Sequence, residues 1–290
     1  GLFVRDSVDR EELSLHRIRI GFELDNSIGY TIPERHEIIG FFQKNFDVYT
    51  LDELRPHTSD KQLLAMLESM QPAIIAPLKA HSTINGLLVL SDHMDFGAFT
   101  PGERDFLRTS AIFAGMAVHN AFLYEVSTTD MMTGLKQRHF FLEKLRDYQS
   151  MHTENGLPLS LAMLDIDHFK DVNDTFGHLC GDHVIKEVAR IIHANVRQTD
   201  TAARIGGEEF VIMLPDTDLE AAQILGERIR TAIEDTHIDW DGTNVSVTIS
   251  IGVAQFRPES DVSAHSLIKR SDEAMYRSKQ AGRNRVSQAV

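Results

Sequence analysis

A single cysteine, Cys180, among 290 residues excludes an intrachain disulfide and a cysteine-based zinc site. It makes a reducing compartment, the cytoplasm, the expected location. No apolar run approaches the ~20 residues needed to cross a bilayer, so no membrane segment is expected in this chain, and the first residues lack the basic-then-apolar order of a signal peptide. The chain starts at Gly1 without an initiator methionine, which leaves open a longer protein whose remainder carries a membrane anchor. Positive charge is also in short supply. The formal charge of -14 divides equally between residues 1–129 and 130–290, which argues against general binding to nucleic acid or anionic lipid. No GxxxxGK[ST] run exists, so the chain is not a P-loop enzyme.

What is present is apolar patterning enough for a sizeable core: 42% of residues are hydrophobic, and the length favours two domains. The first seventy residues mix short apolar runs with turn residues and predict a mixed α/β region. "PAIIAPLKAHSTINGLLVLSD" reads as two antiparallel strands flanking the turn-rich "HSTING". Thr100 as N-cap, Pro101 at the first helical position and Glu103 at the capping-box position then start a helix of some ~25 residues, about twice the usual length. Its Phe106, Leu107, Ala111, Ala114, Val118, Ala121 and Phe122 form one broad stripe, suited to its own domain or to a partner helix.

Beyond that helix, strands and helices alternate. "LSLAMLDI" is a strand, "DHVIKEVARIIHANV" a helix with Val184, Ile185, Val188, Ile191 and Ile192 on one face, and "TAARIGGEEFVIML" a hairpin. "LEAAQILGERIRTAIED" is a helix, "NVSVTISIGVAQF" one long strand, and "AHSLIKRSDEAMYRSKQAG" a closing helix. This order predicts an α/β sandwich with helices packed on a mixed sheet.

The hairpin carries the chemistry. Gly206 and Gly207 supply the freedom of a tight turn and leave room for a close ligand, and Glu208 and Glu209 follow at the tip. Two adjacent carboxylates between apolar strands are better explained by a cation than by solvent. In "LAMLDIDHFK", alternation puts Asp165 and Asp167 on one face and Ile166 on the other. If strand and hairpin are neighbours, Asp165 and Glu208 share a metal. Carboxylates without cysteine or paired histidine favour a hard ion, Mg²⁺ with substrate phosphates. The segment after Asp167 is a turn or short helix whose amides suit phosphate. Nucleotidyl transfer is the implied reaction.

Five segments in one order, "DMMTGLKQRHFF", "DIDHFKDVNDTFGHLCGD", "RIGGEEF", "VTISIGVA" and "DEAMYRSKQAGRNRV", resemble the GGDEF family of diguanylate cyclases in its GGEEF form. The resemblance implies a nucleotide-cyclase or polymerase-palm-like α/β sandwich over 129–290. It implies that Asp165, the backbone of Ile166 and Glu208 hold Mg²⁺, with Mn²⁺ as the alternative. Phe169 and Lys170 give amides, and Lys279 and Arg283 side chains, to the phosphates. Asn173 and Asp182 read the guanine edge. Glu209 either helps bind metal or accepts the proton of the ribose 3′-hydroxyl. Two GTP molecules become cyclic di-GMP and two pyrophosphates across a homodimer, one GTP per domain. Asp174 in "FKDVND" favours two guanines over a mixed product. "RQTD" matches the family's inhibitory product site, with Arg197, Asp200 and the assisting Arg228. Met132, Gln137, His139 and Ser278 depart from the family pattern without touching a proposed ligand.

The region 1–128, ending in the connecting helix at about 101–128, resembles in its second half a GAF sensory domain, which implies a regulator with an unknown small-molecule ligand. His81, His93 and His119 read as ordinary polar or capping histidines, and Phe41, Phe42 and Phe46 as core. Two other functions compete with a cyclase: a non-catalytic receptor binding cyclic di-GMP at Arg197 and Asp200, and a cyclase making cyclic GMP-AMP.

Overall fold

The computed structural model describes residues 1–5, 12–15, 29–91 and 98–289, apart from the side chains of residues 152–155. The chain divides into two compact units, Gly1–Val126 and Ser127–Val290. No described helix is long and apolar enough to cross a membrane.

The first unit contains β1 (Leu2–Arg5), β2 (Glu12–Leu15), β3 (Thr31–Pro33), α1 (Glu37–Lys44), α2 (Leu51–Leu54), α3 (Lys61–Ser69), β4 (Ile74–Ala80), β5 (Thr83–Leu90) and α4 (Pro101–Thr128). Its strands form an antiparallel sheet in the order β3-β2-β1-β5-β4. The mixed α/β expectation is met where the residues are described. The turn between β4 and β5 is tighter than "HSTING" suggested: His81, in the left-handed region at φ 53°, and Ser82 suffice. Phe42 is fully buried, and Phe41 and Phe46 pack against core clusters. His119 Nδ1 lies 3.1 Å from Asn85 Oδ1, an ordinary polar contact, and His93 lies outside the described residues.

Helix α4 starts as its sequence dictates. The Glu103 amide donates to Thr100 Oγ1 at 3.3 Å, and Glu103 Oε2 accepts from the Thr100 amide at 2.7 Å, a reciprocal capping box. The single broad stripe expected of it is instead two faces. Leu107, Ala111, Ala114 and Val118 pack with Val48, Ile74, Ala76 and Leu78. Phe106 and Phe113, 70% and 67% exposed, lie with Met116 and Leu123 on the outside.

The second unit comprises β6 (Lys136–Gln137), α5 (Arg138–Asn155), β7 (Leu159–Ile166), α6 (Phe169–Phe176), α7 (His178–Asn195), β8 (Thr201–Arg204), β9 (Glu209–Pro215), α8 (Leu219–Glu234), β10 (Ile238–Trp240), β11 (Thr243–Val245), β12 (Ile249–Gln255), α9 (Ala264–Gln280) and β13 (Val286–Gln288). Six strands form a mixed sheet in the order β13-β12-β7-β9-β8-β6, with β7 between two antiparallel neighbours. β10 and β11 form a separate hairpin. The α/β sandwich is therefore as expected, with one correction. "NVSVTISIGVAQF" breaks into β11 and β12, because at Thr248 the chain leaves the ladder and turns its backbone and hydroxyl to Asp167.

Strand alternation sorts the core into two layers. Ala162, Leu164 and Ile166 of β7 and Phe210, Ile212 and Leu214 of β9 pack with α7 and α8 through Val184, Ile185, Val188, Ile192 and Ile229. Leu159, Leu161, Met163, Val211 and Met213 pack with α5 and α9 through Phe141, Leu145, Leu267 and Met275. By the same alternation Asp165 and Glu209 belong to the α9 side. α9 crosses β12 so closely that a Cβ on Gly252 would collide with the backbone of Ser271 and Met275. Gly252→Ala is expected to destabilise the protein by about 3 kcal/mol, read as a lowered midpoint in urea unfolding.

Candidate functional site

The site forms where β7 ends. In the β7–β9 register Asp165 stands opposite Glu209, and the Ile166 amide donates to the Glu208 carbonyl at 3.3 Å. Strand and hairpin are thus neighbours, and Asp165, Ile166, Glu208 and Glu209 are brought together. Asp165 is only 5% exposed. Lys279 Nζ, from the last turn of α9, lies 2.8 Å from its Oδ2 and is its one ion-pair partner among the described residues.

Burial pushes the Asp165 carboxyl above the usual carboxylate range. Lys279 opposes that shift, and the charges of Glu208 and Glu209 add to it. One lysine faces three carboxylates, Asp165 buried and Glu208 and Glu209 half-buried, which leaves net negative charge at the end of the sheet. Among the described residues no three His, Cys, Asp or Glu side chains form a ready-made metal cage. A hard divalent ion does not need one: Mg²⁺ keeps several waters and takes one or two carboxylates plus substrate phosphates. The donors present, two carboxylates and a backbone carbonyl, fit such an ion.

The hairpin tip works differently from the sequence expectation. Neither Gly206 nor Gly207 occupies the left-handed region, so backbone freedom is not what they supply. A Cβ on Gly206 would collide with the Glu209 carboxylate, which folds over it, whereas Gly207 faces open space. The tip is held by a residue sequence reasoning passed over. Arg204 donates from Nε and Nη2 to the Gly207 carbonyl at 3.1 and 2.7 Å, and its Nη1 reaches Asp130 Oδ1 at 3.4 Å and Met132 Sδ at 3.3 Å. Its place just before the glycines was the available signal.

After β7, His168 in the left-handed region (φ 56°) turns the chain into α6. The amides of Phe169 and Lys170 head this helix and precede its first intrahelical bonds, which leaves them for an anion. Asn173 lies against α7 at Gly181, where a Cβ would collide with its Oδ1 and stand 3.1 Å from the Phe169 ring. The next residue on α7 is Asp182, half-buried.

Asp167 parts company with Asp165. It lies beyond the strand end, 4% exposed, and accepts from Ser250 Oγ at 2.6 Å, Thr248 Oγ1 at 2.8 Å and the Asn284 amide at 3.0 Å. Arg283, next to Asn284, is exposed on the turn after α9. Ser278 donates to the Ile251 carbonyl at 2.8 Å, tying α9 to β12.

Arg197 and Asp200 lie apart from this cluster, in the turn before β8. The Asp200 carboxylate accepts from the Arg197 amide at 2.8 Å, and among the described residues no ion pair joins their side chains. With Arg228 they line a cavity of about 280 Å³ that also includes Asp216, Thr217 and Leu225. Arg228 leans on Asn195, donating to its carbonyl at 2.6 Å.

Similarity to known proteins matches this geometry. The family description "Diguanylate cyclase, GGDEF domain" fits residues 127–285. Diguanylate cyclase A of Treponema denticola is 39% identical over 290 residues, 99% of this chain and 78% of that protein. Diguanylate cyclase DgcP of Pseudomonas aeruginosa is 44% identical over 161 residues, 56% of this chain and 24% of that protein. The crystal structure of the coiled coil and GGDEF domain of DgcB from Caulobacter crescentus, in complex with c-di-GMP, superposes with a TM-score of 0.60 at 34% identity. It covers 66% of this chain and 100% of that one.

The raised Asp165 value has a consequence for stability. The folded chain holds this proton more tightly than the unfolded chain, so its contribution favours the fold at acid pH and is lost as pH rises through the elevated value. Asp165→Asn is expected to raise the melting temperature at about pH 7, with the gain shrinking toward about pH 4; thermal melts across that range check it.

Proposed function

Because the chain belongs to the GGDEF family of diguanylate cyclases, we propose that it joins two GTP molecules into cyclic di-GMP at the carboxylate cluster of Asp165, Glu208 and Glu209. The observation that carries this reading is the β7–β9 register, which sets Asp165, held by Lys279, opposite Glu209 with Glu208 next to it. Asp165, the Ile166 carbonyl and Glu208 would hold Mg²⁺. When bound, that ion stabilises charge on the attacked phosphate.

The chain's own groups do the rest. The amides of Phe169 and Lys170 bind phosphate oxygens at the head of α6. Lys279 and Arg283 add positive charge from the end of α9 and the turn beyond it. Asn173 and Asp182 match the donors and acceptors of a guanine edge. Arg204, by gripping the Gly207 carbonyl, keeps Glu208 and Glu209 at the strand end while their charges repel.

Each such domain offers one nucleotide site, so the reaction needs two domains face to face, and we infer a homodimer. The outward row of Phe106, Phe113, Met116 and Leu123 on α4 supports it, with spacings of seven, three and seven residues that match the a and d positions of a coiled coil. An open cavity of about 600 Å³ lined by Glu209, Tyr276, Arg277 and Lys279 leaves the carboxylates approachable from a second domain. Residues 1–128 are read as a GAF-like sensory domain acting through α4, and the Arg197, Asp200 and Arg228 cavity as a site of product inhibition.

Mass spectrometry of products from GTP and ATP at equal concentration with Mg²⁺ tests the reaction. Cyclic di-GMP is expected from the parent and none from Glu208→Ala; undiminished product from that variant overturns the assignment of the carboxylates. Arg197→Ala is expected to keep the initial rate while raising the cyclic di-GMP concentration needed for half-inhibition by about tenfold or more, as loss of a charge-assisted arginine contact requires. Unchanged inhibition would place the product elsewhere.

A further inference from the structure

We propose that Asp167 is a positioning residue for substrate binding: its buried carboxylate fixes the turn that presents Arg283, and so sets the distance between the metal-binding strand and the phosphate-binding arginine. The proposal rests on the reading of Arg283 as a phosphate contact.

The turn is unusual in itself. Gly282, Arg283 and Asn284 all occupy the left-handed region, at φ 110°, 63° and 46°. Glycine does so without strain and asparagine at little cost, but an arginine there is strained. Consecutive residues of this kind persist only where the surroundings over-determine them, and here the constraints are visible. The Arg283 amide donates to the Ser278 carbonyl at 3.0 Å, and its carbonyl accepts from Arg285 Nε at 2.9 Å. The Asn284 side chain accepts from Arg230 Nη1 at 2.9 Å and donates to Glu234 Oε1 at 2.8 Å. Those bonds tie the turn to α8 and to the end of α9. Just beyond the turn the Arg285 carbonyl accepts from the Ile251 amide of β12 at 2.9 Å, and among the described residues the bond from the Asn284 amide to Asp167 Oδ2 is the one that ties the turn to the segment leaving β7, the strand that carries Asp165.

Asp167 is equipped for that task and for no metal. Oδ1 accepts from Ser250 and Oδ2 from Thr248 and Asn284, while its own amide donates to the Thr248 carbonyl at 2.9 Å. Three bonds to a side chain 4% exposed leave it facing protein on both oxygens. A carboxylate suits the position because every partner is a donor and an ionised acid only accepts. Only Ile166 separates it from Asp165, so the Asp167–Asn284 bond sets the Arg283 turn against the metal ligands.

The test is a double-mutant cycle on the whole 290-residue chain, with initial rates at varied GTP and varied Mg²⁺. Asp167→Ala is expected to raise KM for GTP about tenfold while changing kcat less, as loss of a ground-state contact does. In an Arg283→Ala background the same substitution is expected to change KM less than about twofold, since coupled residues are non-additive. Asp167→Asn, which keeps an oxygen for the Asn284 amide, is expected to restore most of the affinity. If Asp167→Ala does not fold, Ser250→Ala, which removes one donor, replaces it and is expected to show the same coupling at smaller size. Full additivity with Arg283→Ala overturns the proposal, as does a shift in the Mg²⁺ requirement, which would make Asp167 a metal ligand. An Arg283→Ala variant with unaltered KM would instead refute the reading of Arg283 itself.

Discussion

Mutual repulsion of carboxylates at the end of the central sheet is the constraint around which the second unit is arranged. Asp165 and Glu209 are set opposite one another by strand register, with Glu208 one residue away. Coulomb repulsion between such neighbours is modest in water and grows steeply as water is excluded. Asp165 is buried, so the arrangement survives only with opposing charge and with mechanical support. α9 delivers the charge through Lys279. Arg204 delivers the support, gripping the Gly207 carbonyl from one side and Asp130 from the other. The missing side chain of Gly206 leaves the Glu209 carboxylate somewhere to fold.

Asp165 and Asp167 show how a strand end divides identical residues between different tasks. Two positions apart, they would share a face of a continuing strand. The strand stops at Ile166, His168 turns left-handed, and the second aspartate swings into β12 and the turn after α9. One carboxylate keeps a face toward the hairpin; the other is consumed by serine, threonine and backbone donors. Asp167 therefore contributes geometry where Asp165 contributes charge.

This also marks what the sequence makes legible. Alternation along "LSLAMLDI" and the helical spacing of Val184, Ile185, Val188, Ile191 and Ile192 identify the core because each residue reports on its own side of a regular element. The adjacency of Asp165 and the hairpin follows once those strands are taken as neighbours. The fate of Asp167 does not, because its partners lie 81, 83 and 117 residues away and sit where regular pairing fails. The same failure splits the apparent long strand at Thr248. The two faces of α4 were blurred for a different reason: apolar residues on both sides of a helix sum to a broad stripe, and only packing shows that Ala111 turns inward while Phe113 turns out.

A site built on repulsion links occupancy to stability. Asp165 ionises against its surroundings in the fold, so the folded chain with its carboxylates charged is less stable than the same chain with that charge neutralised. Any cation that binds the folded arrangement and not the unfolded chain stabilises the fold by mass action. That gain is largest where the carboxylates are most crowded. Lys279 already supplies part of this compensation, yet a single positive charge cannot balance three negative ones. Under the proposed function the residual imbalance is what a divalent ion arriving with a polyphosphate would offset, the polyphosphate's own negative charge meeting the amides of α6 and the arginine beyond α9. Crowding at the strand end and positive charge around it are thus two halves of one electrostatic arrangement, each costly in the absence of the other.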